Sequence, residues 1–419
     1  MTASATFGAR NGLRYGLLGL PLAFVALPLY VIVPNHYARE FGVPLALLGS
    51  VLLLARLFDA AIDPLIGRWV DRLYGRSIRA VLALGAVAAA LLATGFALLF
   101  FPPVTGLSAV VAWAAATLVL TYAAFSTLSV AHQSWGAMLG GDETQRSRIV
   151  AWREGLGLVG VLLASVVPLL AGLPATVALF VGLLAAGWWA WRGSVAPRPL
   201  AGAGTDALWL PLAQPRFRRL LAVFMLNGIA SAVPATLVLF FVQDRLQAPP
   251  AFEPAFLGAY FLCAALSVPL WLAAVRRFGL ARSWLAGMLL AIAAFAWTLQ
   301  LGAGDTTAFL VVCALSGVAL GTDLALPGAL LAGVIADAGH RGRHEGAYFG
   351  WWNFATKLNL ALAAGLALPL LELAGYRPGT RDAAGLQALA LAYCLLPCAL
   401  KLLAAAGLYF THIRAKAPS

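Results

Sequence analysis

Residues 54–72 read LARLFDAAIDPLIGRWVDR. Arg56, Asp59 and Asp63 interrupt an apolar run long enough to span a bilayer. Asp59 and Asp63 are one helical turn apart, so a helix puts them on one face, with Arg56 on much the same face. Ionisable groups at membrane depth are costly and ordinarily line a cavity where they work. The stretch predicts a membrane-crossing helix in a protein that moves something through the bilayer with the help of a cation.

The whole chain agrees with a membrane setting. It has 419 residues, 62% hydrophobic and 11% charged, with a mean hydropathy of +0.89. Soluble domains carry about twice that share of charge. Twelve apolar segments are expected, roughly 12–36, 43–68, 77–101, 106–138, 154–172, 174–194, 218–243, 254–275, 283–301, 308–336, 346–373 and 384–411. Residues 195–217 mix prolines, glycines and arginines and read as a cytoplasmic linker between a six-helix half, 1–194, and a second, 218–419. Gly172-Leu173-Pro174 reads as a tight turn. Arg10 and Arg14 precede one long apolar segment, which is not the pattern of a cleaved signal. The net charge of +12 follows membrane orientation rather than nucleic acid. Twenty-one basic residues fall on the side of the termini, against Arg39, Arg245, Arg377 and Arg381 on the other. The positive-inside rule then makes both termini cytoplasmic. Cys263, Cys313, Cys394 and Cys398 all lie in apolar segments and read as small buried residues, not as metal ligands or disulfides.

The halves echo each other. Asp142, Arg146 and Arg148 repeat the D-x-x-x-R-x-R spacing of Asp337, Arg341 and Arg343, 195 residues on, each after the fourth helix of its half. Such duplication is typical of transporters whose site lies between repeats. No HExxH, GxSxG or Gly-rich phosphate loop appears, so an enzyme is not expected.

Gly67, Asp71, Arg72, Gly75 and Arg76 form a G-x-x-x-D-R-x-x-G-R run that resembles the loop 2–3 motif of the major facilitator superfamily. The preceding A-R-x-x-D-A-x-x-D-P-x-x-G resembles the glycoside–pentoside–hexuronide:cation symporters, the melibiose permease family. Asp142, Arg146 and Arg153 resemble that family's loop 4–5 pattern, and Arg343 and Glu345 its R-x-E before helix 11. Lys357 stands twelve residues after Glu345, as the family's helix 11 lysine does. The resemblance covers the chain and implies an all-α, twelve-helix major facilitator fold in a bacterial inner membrane. It implies cation-coupled symport of a small solute, sugar-like by default, by a monomer. It also implies a conformational latch of Gly67, Asp71, Arg72, Arg76, Asp142, Arg146, Asp337, Arg343 and Glu345.

The chain departs from the family where its acidic sugar-binding positions would fall, near Ala23 and Ser129, and at Ile62, where the family has asparagine. An amphipathic lipid such as a lysolipid is therefore a second expectation for the substrate. Sodium wants oxygen ligands; Asp59, Asp63 and, by alignment, Ser126 are the candidates. The same carboxylates could carry a proton instead, which Ile62 favours. No cofactor beyond the Na+ or H+ is called for. Arg56, Lys357, His132, Gln133, Arg153, Asp323, Trp352 and Asn353 are candidates for the coupling machinery or substrate cavity, Asp323 either binding substrate or pairing with a lysine. Lys401 reads as structural, its stem reaching toward the helix end.

Overall fold

The computed structural model describes residues 7–198, 208–249, 252–376, 379 and 382–414. Positions 199–207 of the expected linker, and Arg377, Arg381 and Lys416, lie outside the described residues.

Among the described residues every regular element is helical, in twelve segments that follow the hydropathy pattern. The first, α1, runs over 9–40 and is assembled from shorter helices joined by a π-turn at Pro28–Ile32. Pro28 has no N–H to give, and the local widening to a π-turn accommodates the lost bond. Then follow α2 (Leu45–Arg76), α3 (Ile78–Phe100), α4 (Leu107–Leu139), α5 (Glu143–Pro168), α6 (Leu170–Arg192), α7 (Pro215–Arg245), α8 (Glu253–Phe278), α9 (Leu280–Thr298), α10 (Thr306–Asp337), α11 (Glu345–Leu373) and α12 (Ala383–Ile413). Nine of these, α3 to α10 and α12, are long and apolar enough to cross a membrane among the described residues. The chain is a multi-pass membrane protein.

Local chemistry sets the ends. Ser77 starts α3 by accepting a hydrogen bond from the Ala80 N–H at 3.1 Å. Asp142 does the same for α5 at Gln145, and Asp382 for α12 at Gly385. Each satisfies a donor that the first turn leaves orphaned. Near the start of α6 the helix is kinked at Gly172, whose φ of 77° suits a residue without a Cβ.

The chain forms two compact units: Met1–Pro211 with Ala332–Phe354, and Leu212–Leu331 with Ala355–Ser419. In the first, α1 packs against α5 and α6, and α4 against α2 and α3. The α1–α5 seam closes over small residues: a methyl group on Gly16 or Gly160 would overlap the opposing backbone at Trp152 or Leu20. Without a hydrophobic force between helices in lipid, such close approach is what gives contact. In the second unit α12 packs against α7 and α9. Phe241 stacks on Tyr393 at 4.3 Å and Phe256 meets Phe309 edge-on at 5.0 Å, within a cluster of buried apolar residues.

Candidate functional site

Burial singles out the α2 carboxylates. Asp63 is 0% and Asp59 4% exposed, while Leu53, Leu54, Leu57 and Phe58 on the same helix are exposed. The helix thus turns its acids inward and its leucines out. The Ser126 hydroxyl of α4 donates to Asp59 Oδ1 at 2.7 Å. Pro64 supplies no N–H for the Ala60 carbonyl, one turn back. Arg56 is half-buried on this helix. Two carboxylates and a hydroxyl from two helices are thus together, an oxygen-rich set of the kind hard cations take. No group of three or more His, Cys, Asp or Glu side chains able to hold a metal occurs among the described residues.

Over the two turns from Asp63 through Gly67 to Asp71, α2 meets the start of α11 through backbone. A methyl group on Gly67 would overlap the Gly346 carbonyl, and one on Gly350 would come within 2.5 Å of the Asp63 carbonyl oxygen. Asp71 Oδ1 accepts from the Gly346 N–H at 2.6 Å and Oδ2 from the Ala347 N–H at 2.7 Å. The carboxylate therefore sits on the positive end of α11, where the first N–H groups have no partner within the helix. Asp71 and Glu345 lie outside the apolar spans 43–68 and 346–373. Burial pushes the Asp71 carboxyl well above the usual range against its bond from Ala347, and the nearby Glu345 charge adds to the rise. Glu345 turns back to accept from the Gly342 N–H at 2.6 Å, its other oxygen has no hydrogen-bond partner among the described residues, and burial pushes it up to about 7.

The other expected latch residues spread around this point. Arg146 lies under Gly333 of α10; Asp142 caps α5. Arg72, Arg76, Asp337 and Arg343 are exposed. The expectation omitted Arg341, whose guanidinium donates to the Met138 and Leu139 carbonyls at 3.4 and 3.3 Å and so stands at the negative end of α4. The D-x-x-x-R-x-R echo pairs Arg341 with Arg146 and was the signal that could have found it.

Several cavity candidates stand elsewhere. His132 does not face a cavity: it is fully buried, stacked on Tyr15 at 4.3 Å, edge-on to Trp191 and bonded through Nε2 to the Tyr15 carbonyl at 2.8 Å. It ties α4 to α1. Arg153 pairs with Glu154, its Nε at 2.9 Å from Oε1, beside Gly19 of α1. Gln133 and Asn353 are half-buried, and Trp352 is buried. Lys357 is half-buried on α11 in the second unit.

That unit holds a second polar centre. Asp323 Oδ1 accepts from Asn227 Nδ2 at 2.9 Å and Trp284 Nε1 at 2.8 Å. Lys401 Nζ donates to Asn227 Oδ1 at 2.7 Å and Asp323 Oδ2 at 3.2 Å. The reading of Lys401 as a snorkelling lysine is corrected: its side chain is 6% exposed and its charge is matched inside the helix bundle.

A twelve-helix chain with buried carboxylates in α2 and a carboxylate bound to the start of α11 has the outline of a carrier. The model of the MFS/sugar transport protein family matches residues 13–196 and 202–415. The chain belongs to this family. It is a transporter and not an enzyme. It is 25% identical over 158 residues, 37% of this chain, to the putative glycoside/cation symporter YagG of Escherichia coli, a match that spans 34% of that protein's length. It is 27% identical over 132 residues to the inner membrane symporter YicJ of the same organism, spanning 28% of it. It is 23% identical over 407 residues, 90% of this transporter and 86% of the relative, to the uncharacterized symporter YjmB of Bacillus subtilis. The fold is similar to an outward-facing bacterial homologue of the iron transporter ferroportin, with a TM-score of 0.73 and 15% identity over 96% of this transporter and 99% of that chain. It is similar also to the E. coli fucose:proton symporter FucP, with a TM-score of 0.67 and 14% identity over 96% and 99% of the two chains. These likenesses establish a major facilitator fold.

Proposed function

We propose that this transporter is a cation-coupled symporter of a bacterial inner membrane, with Na+ or H+ as the coupling ion and a small organic, sugar-like solute as the cargo. The observation that carries the reading is the pair Asp59 and Asp63, one helical turn apart and almost wholly buried, with the Ser126 hydroxyl bonded to Asp59 at 2.7 Å. Buried acids on a membrane helix are costly unless they work. The printed names of the E. coli relatives, a glycoside/cation symporter and an inner membrane symporter, support the same class. In this reading both termini and the 195–217 linker are cytoplasmic, and the chain works as a monomer. The cation binds at Asp59, Asp63 and Ser126, and Lys357 links its occupancy to the substrate. Asp71 holds the start of α11 in one state of the cycle and releases it in another.

A second reading, carriage of an amphipathic lipid such as a lysolipid, is favoured by Ala23 and Ser129, where the resembling family keeps acids for sugar hydroxyls. A thermal-shift screen of purified protein against sugars and lysolipids, with and without sodium and across pH, separates the two, since a ligand of the native state raises its apparent stability. Uptake of the ligand so found is then measured in proteoliposomes under imposed sodium or proton gradients. Asp63→Asn is expected to abolish concentrative uptake while sparing exchange. Concentrative uptake by the Asp59→Asn, Asp63→Asn double variant under either gradient would refute the assignment.

A further inference from the structure

We propose that the second unit carries a ligand site of its own, a cavity lined by Asp323, Lys401 and Ser316 that binds a small uncharged molecule with an apolar body and one or two hydrogen-bonding groups. The site uses residues of α7 to α10 and α12 only, and it stands whether or not the α2 carboxylates bind a cation.

The cavity measures about 300 Å3, at the lower end of small-molecule pockets. Its walls include Phe256, Tyr260, Phe261, Phe295 and Tyr393, with aliphatic side chains between them. The charged groups that face it are Asp323 and Lys401, and Ser231 and Ser316 add hydroxyls at its lining. The site thus has the composition of a ligand pocket, an apolar envelope with a few converging polar groups.

Two groups that line the cavity have bonding capacity to spare, the Ser316 hydroxyl and, two turns further along α10 beside Asp323, the Lys401 ammonium. Ser316 is 7% exposed, and its hydroxyl has no hydrogen-bond partner among the described residues. Hydroxyls in these helices ordinarily turn back to a carbonyl of the preceding turn, as Thr121, Thr236 and Thr298 do at 2.6 to 2.9 Å. Ser316 does not, although an unmade bond in a buried setting is costly. The Lys401 ammonium has three N–H donors, and among the described residues it bonds Asn227 and, more loosely, Asp323. Asp323, in contrast, is well supplied, with two short bonds on Oδ1. The free capacity is thus a lysine donor at one point of the lining and a serine hydroxyl two turns away, each of which suits a hydroxyl, ketone or amide.

Charge and wall chemistry restrict the rest of the ligand. Asp323 and Lys401 neutralise each other, so a charged head would leave one net charge enclosed by aromatic rings, where an unpaired charge is strongly unfavourable. A sugar would bring several hydroxyls against walls with few polar groups, and most would lose their bonds to water without replacement.

The test uses the full chain in lipid nanodiscs and para-hydroxybenzophenone as photoreactive probe, at mildly acidic pH where its phenol is neutral. Irradiation and peptide mass spectrometry are expected to give saturable adducts in residues 256–261 and 312–320, competed by para-butylphenol. Ser316→Ala is expected to raise the half-saturating concentration about threefold to tenfold, the loss of one hydrogen bond. Ser316→Leu is expected to fill the cavity and abolish the adducts; should it fail to fold, Ser316→Ala still decides. Three results would overturn the proposal: adducts that do not saturate and spread over lipid-facing helices, saturable adducts displaced by a lysolipid but not by para-butylphenol, or an unchanged half-saturation in Ser316→Ala.

Discussion

Replacing Asp71 with asparagine exchanges one oxygen for an NH2 group and should loosen one end of α11. In the native protein the two carboxylate oxygens accept from the N–H groups of Gly346 and Ala347 at 2.6 and 2.7 Å. Asparagine keeps one oxygen. Its amide nitrogen then faces the other N–H, donor against donor, in a place where Asp71 is 3% exposed and water does not substitute. A buried donor left unmade costs about 1–3 kcal/mol, and a value of about 2 kcal/mol corresponds to about thirtyfold in an equilibrium constant. Asp71→Ala orphans both donors and should cost about twice as much. Hydrogen exchange at the amides of Gly346 and Ala347 reads the effect on the bonded atoms themselves, since protection tracks the free energy of local opening. The expected result is exchange about thirtyfold faster in Asp71→Asn and faster again in Asp71→Ala, with α3 and α9 unchanged. Unaltered exchange at 346 and 347 in both variants would refute the reasoning.

Gly67→Ala should destabilise by about 1–3 kcal/mol, since its methyl meets a carbonyl that cannot rotate away. Gly49→Ala, on the same helix with nothing within 4 Å, should be neutral or stabilising, and thermal unfolding compares the two. Lys401→Met should cost about 3–5 kcal/mol by leaving Asp323 without its cation, and the Lys401→Met, Asp323→Leu pair should recover much of that in a double-mutant cycle of unfolding midpoints. Glu345 has its folded value raised from 4.5 to about 7, so between those pH values the folded state holds more proton than the unfolded. Its contribution is therefore full below about 4.5 and lost as pH rises to about 7, a change of ~3 kcal/mol at 1.4 kcal/mol per unit. The midpoint of Glu345→Gln should gain on the wild type as pH rises through that window; a constant gap would exclude the effect.

Much of the fold is legible in the chain because membrane helices announce themselves one at a time. Each apolar run satisfies its own backbone, so hydropathy locates it without reference to neighbours. The Gly172-Leu173-Pro174 turn and the Asp142 cap are likewise local. The π-turn at Pro28–Ile32 is not: many membrane prolines leave a helix intact, as Pro64 and Pro269 do here. The site divides the same way. Asp59 and Asp63 share a face by spacing alone. Asp71 is found by its motif, yet its partners are backbone N–H groups, which no side-chain pattern betrays. Asp323 and Lys401 are visibly costly in sequence, but 78 residues separate them and only packing selects the pair. The surroundings of His132 are hidden for the same reason, since Tyr15 and Trp191, which enclose it, come from other helices.

The glycine contact between α2 and α11 has a kinetic side. Where side chains interlock, parting two helices means forcing many rotamers past their barriers, and the separation is slow however small its free energy. At Gly67 and Gly346 backbone lies on backbone. The crossing offers little internal friction, and the two bonds at Asp71 are what must break for it to peel apart. How often the crossing opens is thus assigned to Asp71, and how fast it moves once open to the glycines. A methyl group at Gly67 and an amide at Asp71 would therefore leave different marks on a time-resolved measurement, the first on the speed of the motion and the second on its frequency.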